Sequence, residues 1–385
     1  MRRREDFERV LAETLADGWS AELGRPVRLR SGAGADGQAW RFLPVFSAYV
    51  GRGAGPNVRR FLRESFQFTP FAWRAPIQWV VAQLLAGPAG LRLAGRSGFV
   101  VEPELPHEEE RLVLPGNRRI RVFDFSSRRT RVFLKRGFPA SAIRTEVSVR
   151  GGRASGPFQP ILAAGETWFE EEIFDGVPLP RCAPWVDRPA LARAALAALD
   201  TWLDSTARRA DARAHVEGLV ERCLGRGPGQ GLPTSVHDAL ARAVLRLAPV
   251  ASELGEVSLA VGHGDMQPGN VLAPRTGLDV RLIDWEYSAE RWREFDRLTW
   301  ALRARWGPGL AARLVAFVQG RRLAGLDDLA REESTRRRQA AMFLLEDLGW
   351  HVADMCSSPF VGLTEGLQSR LPELDRLVAL AEGRA

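Results

Sequence analysis

The chain has 385 residues, 45% of them hydrophobic and 26% charged, which is the composition of a folded globular protein long enough for two or three packed units. Its net charge of +7 is spread as arginines among acids along the whole length, so no nucleic-acid partner is expected. No apolar run reaches the length of a membrane span: the richest, Trp79 to Leu93, is broken by Gln83, Gly87, Pro88 and Arg92. Three scattered cysteines, Cys182, Cys223 and Cys356, fit neither a disulfide framework nor paired zinc ligands. The N-terminus, MRRREDFERVLAE, passes from basic residues straight into an amphipathic pattern, so no secretion signal and a cytoplasmic setting are expected.

In chain order, residues 1–105 read as an N-terminal extension whose role the residues do not reveal. Phe7, Val10, Leu11 and Leu15 recur at helical spacing, SGAGADG at 31–37 is a loop, and Asn57 to Phe66 and Ala75 to Ala86 predict further helices. Between 106 and 176 the pattern becomes short alternating runs. RLVL at 111–114, IRVFDF at 120–125 and TRVFLKR at 130–136 predict a three-strand meander, followed by a short helix from Ala140 to Val149 and strands around ILAA at 161 and TWFEEEIF at 167. From 177 to 385 the pattern is helical, with apolar periodicity over 233–249, 309–323 and 338–356, and a loop at GRGPGQG, 225–231.

The densest chemistry lies in VGHGDMQPGNVL at 261–272 and RLIDWEYS at 281–288. An apolar run, a His-Gly-Asp turn, an Asn five residues after the Asp, and a strand ending in a second Asp are what phosphoryl transfer needs. A carboxylate must orient the attacking hydroxyl and accept its proton, and hard oxygen ligands must hold magnesium against phosphates. Asp265 takes the first role; Asn270 and Asp284 take the second. A loop histidine, a turn-capping aspartate and a helix-capping asparagine would account for His263, Asp265 and Asn270 singly, but not for the carboxylate at a strand end nineteen residues beyond Asp265.

HGDMQPGN resembles the HGDxxxxN loop of the aminoglycoside phosphotransferase family, and LIDWEYS its metal-binding Asp segment; the run Glu286 to Asp296 resembles the choline and ethanolamine kinase version. The resemblance spans about residues 106–360. It implies an α+β, protein-kinase-like two-lobe fold, with a small antiparallel-sheet lobe at 106–176 and a helical large lobe at 177–385. The implied activity is MgATP-dependent phosphorylation of a hydroxyl on a small-molecule acceptor: an amino alcohol, an aminoglycoside or a sugar. It also implies that Asp296 anchors the catalytic loop from the next helix and that His263 does similar work by bonding loop backbone.

Lys135 supports this reading from the residues themselves. It is the single lysine of a chain that otherwise uses only Arg, and it ends the third strand, where a lysine reaches the nucleotide's phosphates. Glu146, on the following helix, is its expected partner. The connector at Glu172, Ile173 and Phe174 is expected to meet the nucleotide base. The phosphate-covering turn has one glycine, Gly116, so Arg118 or Arg119 is expected to assist. Eleven residues between Asp284 and Asp296 leave no room for a long activation segment, which disfavours a protein substrate.

For the acceptor, Glu346, Trp350 and Asp354 share one helical face that suits a cation, although a solvated acidic face is the commoner explanation of such spacing. Two rival roles stand beside the enzyme. One is a kinase-like protein that binds nucleotide without catalysis. The other is a membrane-surface role for the Arg-flanked apolar segment from Phe66 to Leu85, against which a packed helix is preferred, so no membrane association is expected. The oligomeric state is not legible.

Overall fold

The computed structural model describes residues 6–31, 37–65, 74–151, 156–183, 185–225, 233–305, 309–326, 330–356 and 365–384. Most of the loops expected at 31–37 and 225–231, and residues 66–73 of the apolar segment, lie outside the described residues. The fold is α+β with antiparallel sheets, and the chain divides into two units: residues 1–194 with 271–283, and residues 195–270 with 284–385.

The first unit is built on a nine-stranded sheet in the order β1-β4-β2-β3-β5-β6-β7-β9-β8. Its strands are β1 (Arg28–Ser31), β2 (Gln38–Leu43), β3 (Ala48–Gly51), β4 (Arg96–Glu102), β5 (Arg111–Pro115), β6 (Arg119–Asp124), β7 (Arg129–Leu134), β8 (Ile161–Ala164) and β9 (Trp168–Glu172). The last five, with helix α5 (Ser141–Arg150) between β7 and β8, fall where the alternation predicts them. The first four were not legible; of these, RLRS and AYVG are too short to show a period of two.

These strands change the meaning of the extension. β3 pairs with β5 through Tyr49↔Val113 and Val50↔Leu112, covering what would be an exposed sheet edge. Helix α1 (Phe7–Leu23) packs Leu11, Leu15 and Trp19 against Ile120, Val122 and Phe133. It lies so close that a Cβ on Gly18 would fall 2.4 Å from the Phe133 ring. On β7 the alternate residues Val132 and Leu134 join Ala142 and Ile143 of α5 and Phe169 of β9. Helices α2 (Pro56–Ser65), α3 (Ala75–Leu85) and α4 (Pro88–Ala94) complete the N-terminal part. A small sheet joins β10 (Gly176–Pro178) to a later hairpin in the chain.

The second unit is mainly helical. Its elements are the end of α6 (Arg188–Thr206), then β11 (Arg208–Asp211), α7 (Ala212–Leu224), α8 (Thr234–Ser252) and β12 (Glu256–Gly262). The chain returns to the first unit for the hairpin of β13 (Val271–Pro274) and β14 (Arg281–Leu282), which pairs with β10. It re-enters the second unit for β15 (Ala289–Trp292), α9 (Phe295–Ala301), α10 (Leu310–Val318), α11 (Glu333–Cys356) and α12 (Glu365–Ala381). Strand β12 pairs with both β11 and β15. In α11 every residue from Ala340 to Leu345 is buried, as expected of a helix surrounded by others. Its neighbours include Val216 and Leu219 of α7 and Leu240, Val244 and Leu247 of α8.

Candidate active site

The loop after β12 is held by its own backbone. The Asp296 carboxylate accepts from the amides of His263 (2.6 Å) and Gly264 (2.9 Å), which is the anchoring expected of it. The Asp265 amide donates to Nδ1 of the fully buried His263 (3.2 Å), whose ring packs 4.7 Å from Trp285. Gly264 has φ +83°, and a Cβ there would meet the Tyr287 carbonyl at 2.3 Å, so the turn requires glycine.

This scaffold presents Asp265 and Asn270 together. Asn270 Nδ2 donates to the Asp265 carbonyl (2.8 Å) and to its Oδ2 (2.9 Å), and Gln267 Nε2 also donates to Oδ2 (2.9 Å). With both amide hydrogens so used, the Asn270 Oδ1 has no partner among the described residues and is the atom available to a cation. Burial pushes the Asp265 carboxyl above the ordinary aspartate value, against the opposing pull of Arg305 and His263.

Asp284 follows β14 with φ 66° and ψ 54°, a left-handed conformation that costs a non-glycine residue free energy and is retained where the local structure demands it. A carboxylate and a carboxamide oxygen suit magnesium, which takes one or two protein oxygens and completes its octahedron with water and phosphate. Among the described residues there is no group of three or more His, Cys, Asp or Glu that could hold a metal ion.

Gln267, Arg305 and Asp347 are further residues of this site that the sequence does not single out. Arg305 Nε donates to Asp265 Oδ1 (3.1 Å), and its Nη1 pairs with Asp347. Its guanidinium also lies 3.9 Å from the centroid of the Trp350 ring. In a chain this rich in arginine, no sequence signal marks one arginine out.

The acceptor face drawn from α11 has other occupants. Glu346 is fully buried: it accepts from the Trp292 amide (3.0 Å) and Arg291 Nη1 (3.1 Å), and lies 2.8 Å from His215 Nε2. Burial raises its pKa, but His215 and Arg291 outweigh that and hold it below the ordinary glutamate value. Asp354 accepts from the Tyr287 hydroxyl. The cation over Trp350 is supplied by the chain itself.

In the first unit, Lys135 follows β7 with 1% of its surface exposed, and its Nζ lies 5.0 Å from the centroid of the Phe7 ring on α1. Glu146 is buried on α5, where its carboxylate is paired with Arg119 of β6 and Arg150 one turn along. Arg119, one of the two arginines expected to assist phosphate, is thus engaged by Glu146. Glu146 thus pairs with two guanidiniums, while the Lys135 ammonium faces the Phe7 ring. Glu172 ends β9, opposite Arg129. The Ile173 amide donates to the Arg128 carbonyl (2.9 Å), and the Phe174 carbonyl accepts from Gly176 (3.0 Å). Ile173 and Phe174 line a cavity of about 330 Å³ with Phe61, Phe125, Arg60 and Arg128.

The Glu146 cluster makes acid stability a test of this geometry. Burial alone would raise the carboxyl, but Arg119 and Arg150 bring it from 4.5 to about 2. A depressed carboxylate contributes stability that is present above the unfolded value and lost as pH falls through the folded one. Glu146→Gln is expected to cost about 3–5 kcal/mol at neutral pH, because two buried guanidiniums lose their counterion. Thermal melts should show the gap between wild type and variant narrowing from pH 4.5 towards about 2.

No protein-family model and no curated protein matches the chain. Solved structures do. It is similar to a choline/ethanolamine kinase family protein from Mesorhizobium loti, at 17% identity over 79% of this chain and 98% of that one, with TM-score 0.46. It is similar to an ethanolamine kinase from Plasmodium vivax, at 12% identity over 85% and 96%, with TM-score 0.48. It is also similar to the aminoglycoside phosphotransferase APH(4)-Ia in a ternary complex with ADP and hygromycin B, at 16% identity over 70% and 93%, with TM-score 0.48. Both kinds of kinase that the loop motifs resemble are thus among its structural neighbours.

Proposed function

We propose that the chain is an MgATP-dependent phosphotransferase acting on a hydroxyl group of a small molecule, with amino alcohols, aminoglycosides and sugars as acceptor classes. The observation that carries the reading is the loop from His263 to Asn270. Its backbone is tied down by Asp296, its carboxylate is Asp265, and its asparagine spends one amide hydrogen on that carboxylate and the other on the Asp265 backbone carbonyl. In this reading Asp265 orients the acceptor hydroxyl and takes its proton, while Asn270 Oδ1 and Asp284 hold magnesium. The ion, when bound, neutralises phosphate charge. Lys135 binds the nucleotide phosphates, and Glu172, Ile173 and Phe174 flank the base.

A small acceptor is supported by the segment after Asp284. It runs directly through a 3-10 turn at Trp285–Tyr287 and β15 into α9, with no long excursion that a peptide could dock on. An ADP-release assay over the three acceptor classes tests the proposal. Turnover with one of them, abolished in Asp284→Asn, is the expected result; no turnover with any of them, and no slow ATP hydrolysis, would sink it.

The rival reading is nucleotide binding without catalysis. A thermal shift with MgATP is common to both readings. ATP hydrolysis that disappears in Asp265→Asn belongs to the first alone.

A further inference from the structure

Helix α3 turns most of its apolar side chains outward. Trp79 is 51% exposed and Leu84 67%, with Ile77, Val80 and Val81 also exposed, and on α4 Leu93 is 88% exposed. The stripe that packs inward is narrow: Ala82, Ala86 and Leu91. Six of the eleven large hydrophobic side chains exposed among the described residues therefore fall within residues 77–93. Ile77, Val80, Val81 and Leu84 stand at i, i+3, i+4 and i+7 on one face of α3, and an exposed face so apolar marks an interaction surface, whereas scattered exposed leucines are ordinary.

The surroundings narrow the choice of partner. α3 itself, APIQWVVAQLL, has no charged residue. Residues 56–96 hold six arginines, Arg59, Arg60, Arg63, Arg74, Arg92 and Arg96, and a single acid, Glu64, which is bridged to Arg275. Arg60, Arg74, Arg92 and Arg96 are exposed. A second copy of this chain meeting the patch across a two-fold axis would set one arginine-rich rim against another. A bilayer with anionic headgroups accepts both features: apolar side chains enter the acyl boundary, tryptophan sits at the headgroup level, and arginines meet phosphates. An eleven-residue helix is about 16 Å long, roughly half the hydrocarbon thickness, so it can lie in the interface but not cross it. No helix among the described residues is long and apolar enough to cross.

We infer that α3 and α4 dock this protein on an anionic membrane surface, with Leu84 and Leu93 inserted, Trp79 at the headgroup level and the neighbouring arginines held against lipid phosphates. This surface belongs wholly to the first unit and is independent of the phosphotransferase reading.

Flotation of the full chain with vesicles decides it. The protein should rise with phosphatidylcholine–phosphatidylglycerol vesicles at low ionic strength, and added salt should weaken the association. The double variant Trp79→Ala, Leu84→Asp should lower the bound fraction roughly tenfold or more. Its circular dichroism and melting curve should match wild type, because both side chains are exposed. Leu245→Asp, at an exposed leucine of α8, should float like wild type. Failure to float with the mixed vesicles overturns the inference, as does equal binding to pure phosphatidylcholine. So does a wild-type dimer in sedimentation that Leu84→Asp dissociates while vesicles are ignored, since the patch would then belong to a second copy.

Discussion

Asp265→Asn is expected to lower turnover of the acceptor by roughly 100- to 10,000-fold, the usual worth of a positioned general base, with little loss of stability. Two effects combine. The amide cannot take the hydroxyl proton, and it cannot satisfy all its neighbours. If its oxygen accepts from Gln267 and Asn270, its NH₂ points at Arg305 Nε, donor against donor. The fold should tolerate this, because burial already disfavours the ionised form of Asp265. Single-turnover kinetics with MgATP and the acceptor returned by the ADP-release screen measure the rate, and chemical denaturation measures the stability. A variant that folds normally and turns over within a few-fold of wild type would remove Asp265 from the chemistry.

The opposite pattern is expected at Glu346. Its substitution by Ala should cost about 3–5 kcal/mol of folding free energy, because it strips the partly buried Arg291 of its counterion and orphans the Trp292 amide. His215 loses its partner as well. Urea unfolding should show the midpoint falling with an unchanged slope. Where the variant remains folded, the KM for the acceptor should stay near wild type. A raised KM at unchanged stability would restore the helix face of Glu346, Trp350 and Asp354 as an acceptor surface. The contrast between the two substitutions separates a carboxylate held for chemistry from one held for packing.

The two carboxylates also show where reading residues in line succeeds. Spacing and residue type marked out Asp265 and Asn270, and the resemblance implied the anchoring by Asp296 that the His263 and Gly264 amides show. Glu346, Trp350 and Asp354 share a helical face, but periodicity reports only which residues lie together, not what covers them. What covers them is Arg291, His215, Arg305 and Tyr287, supplied from elsewhere in the same unit. Glu146 teaches the same lesson. A buried helix glutamate beside a strand needs a cation, yet a chain rich in arginine offers many, and those that reach it are Arg119 and Arg150.

By itself the sequence determined the order of strands β5 to β9 around α5 and the composition of the candidate loop from His263 to Asn270, because each rests on local period or short spacing, while the α+β class followed from the resemblance it carries. Tertiary structure alone decided that strands β1 to β4 join the same sheet. A strand of four residues such as AYVG carries too little pattern to name its partner, and β3 finds β5 only because an open edge would leave backbone groups unpaired. It alone decided, too, that α3 faces outward, since an apolar run reads the same whether protein or another surface covers it.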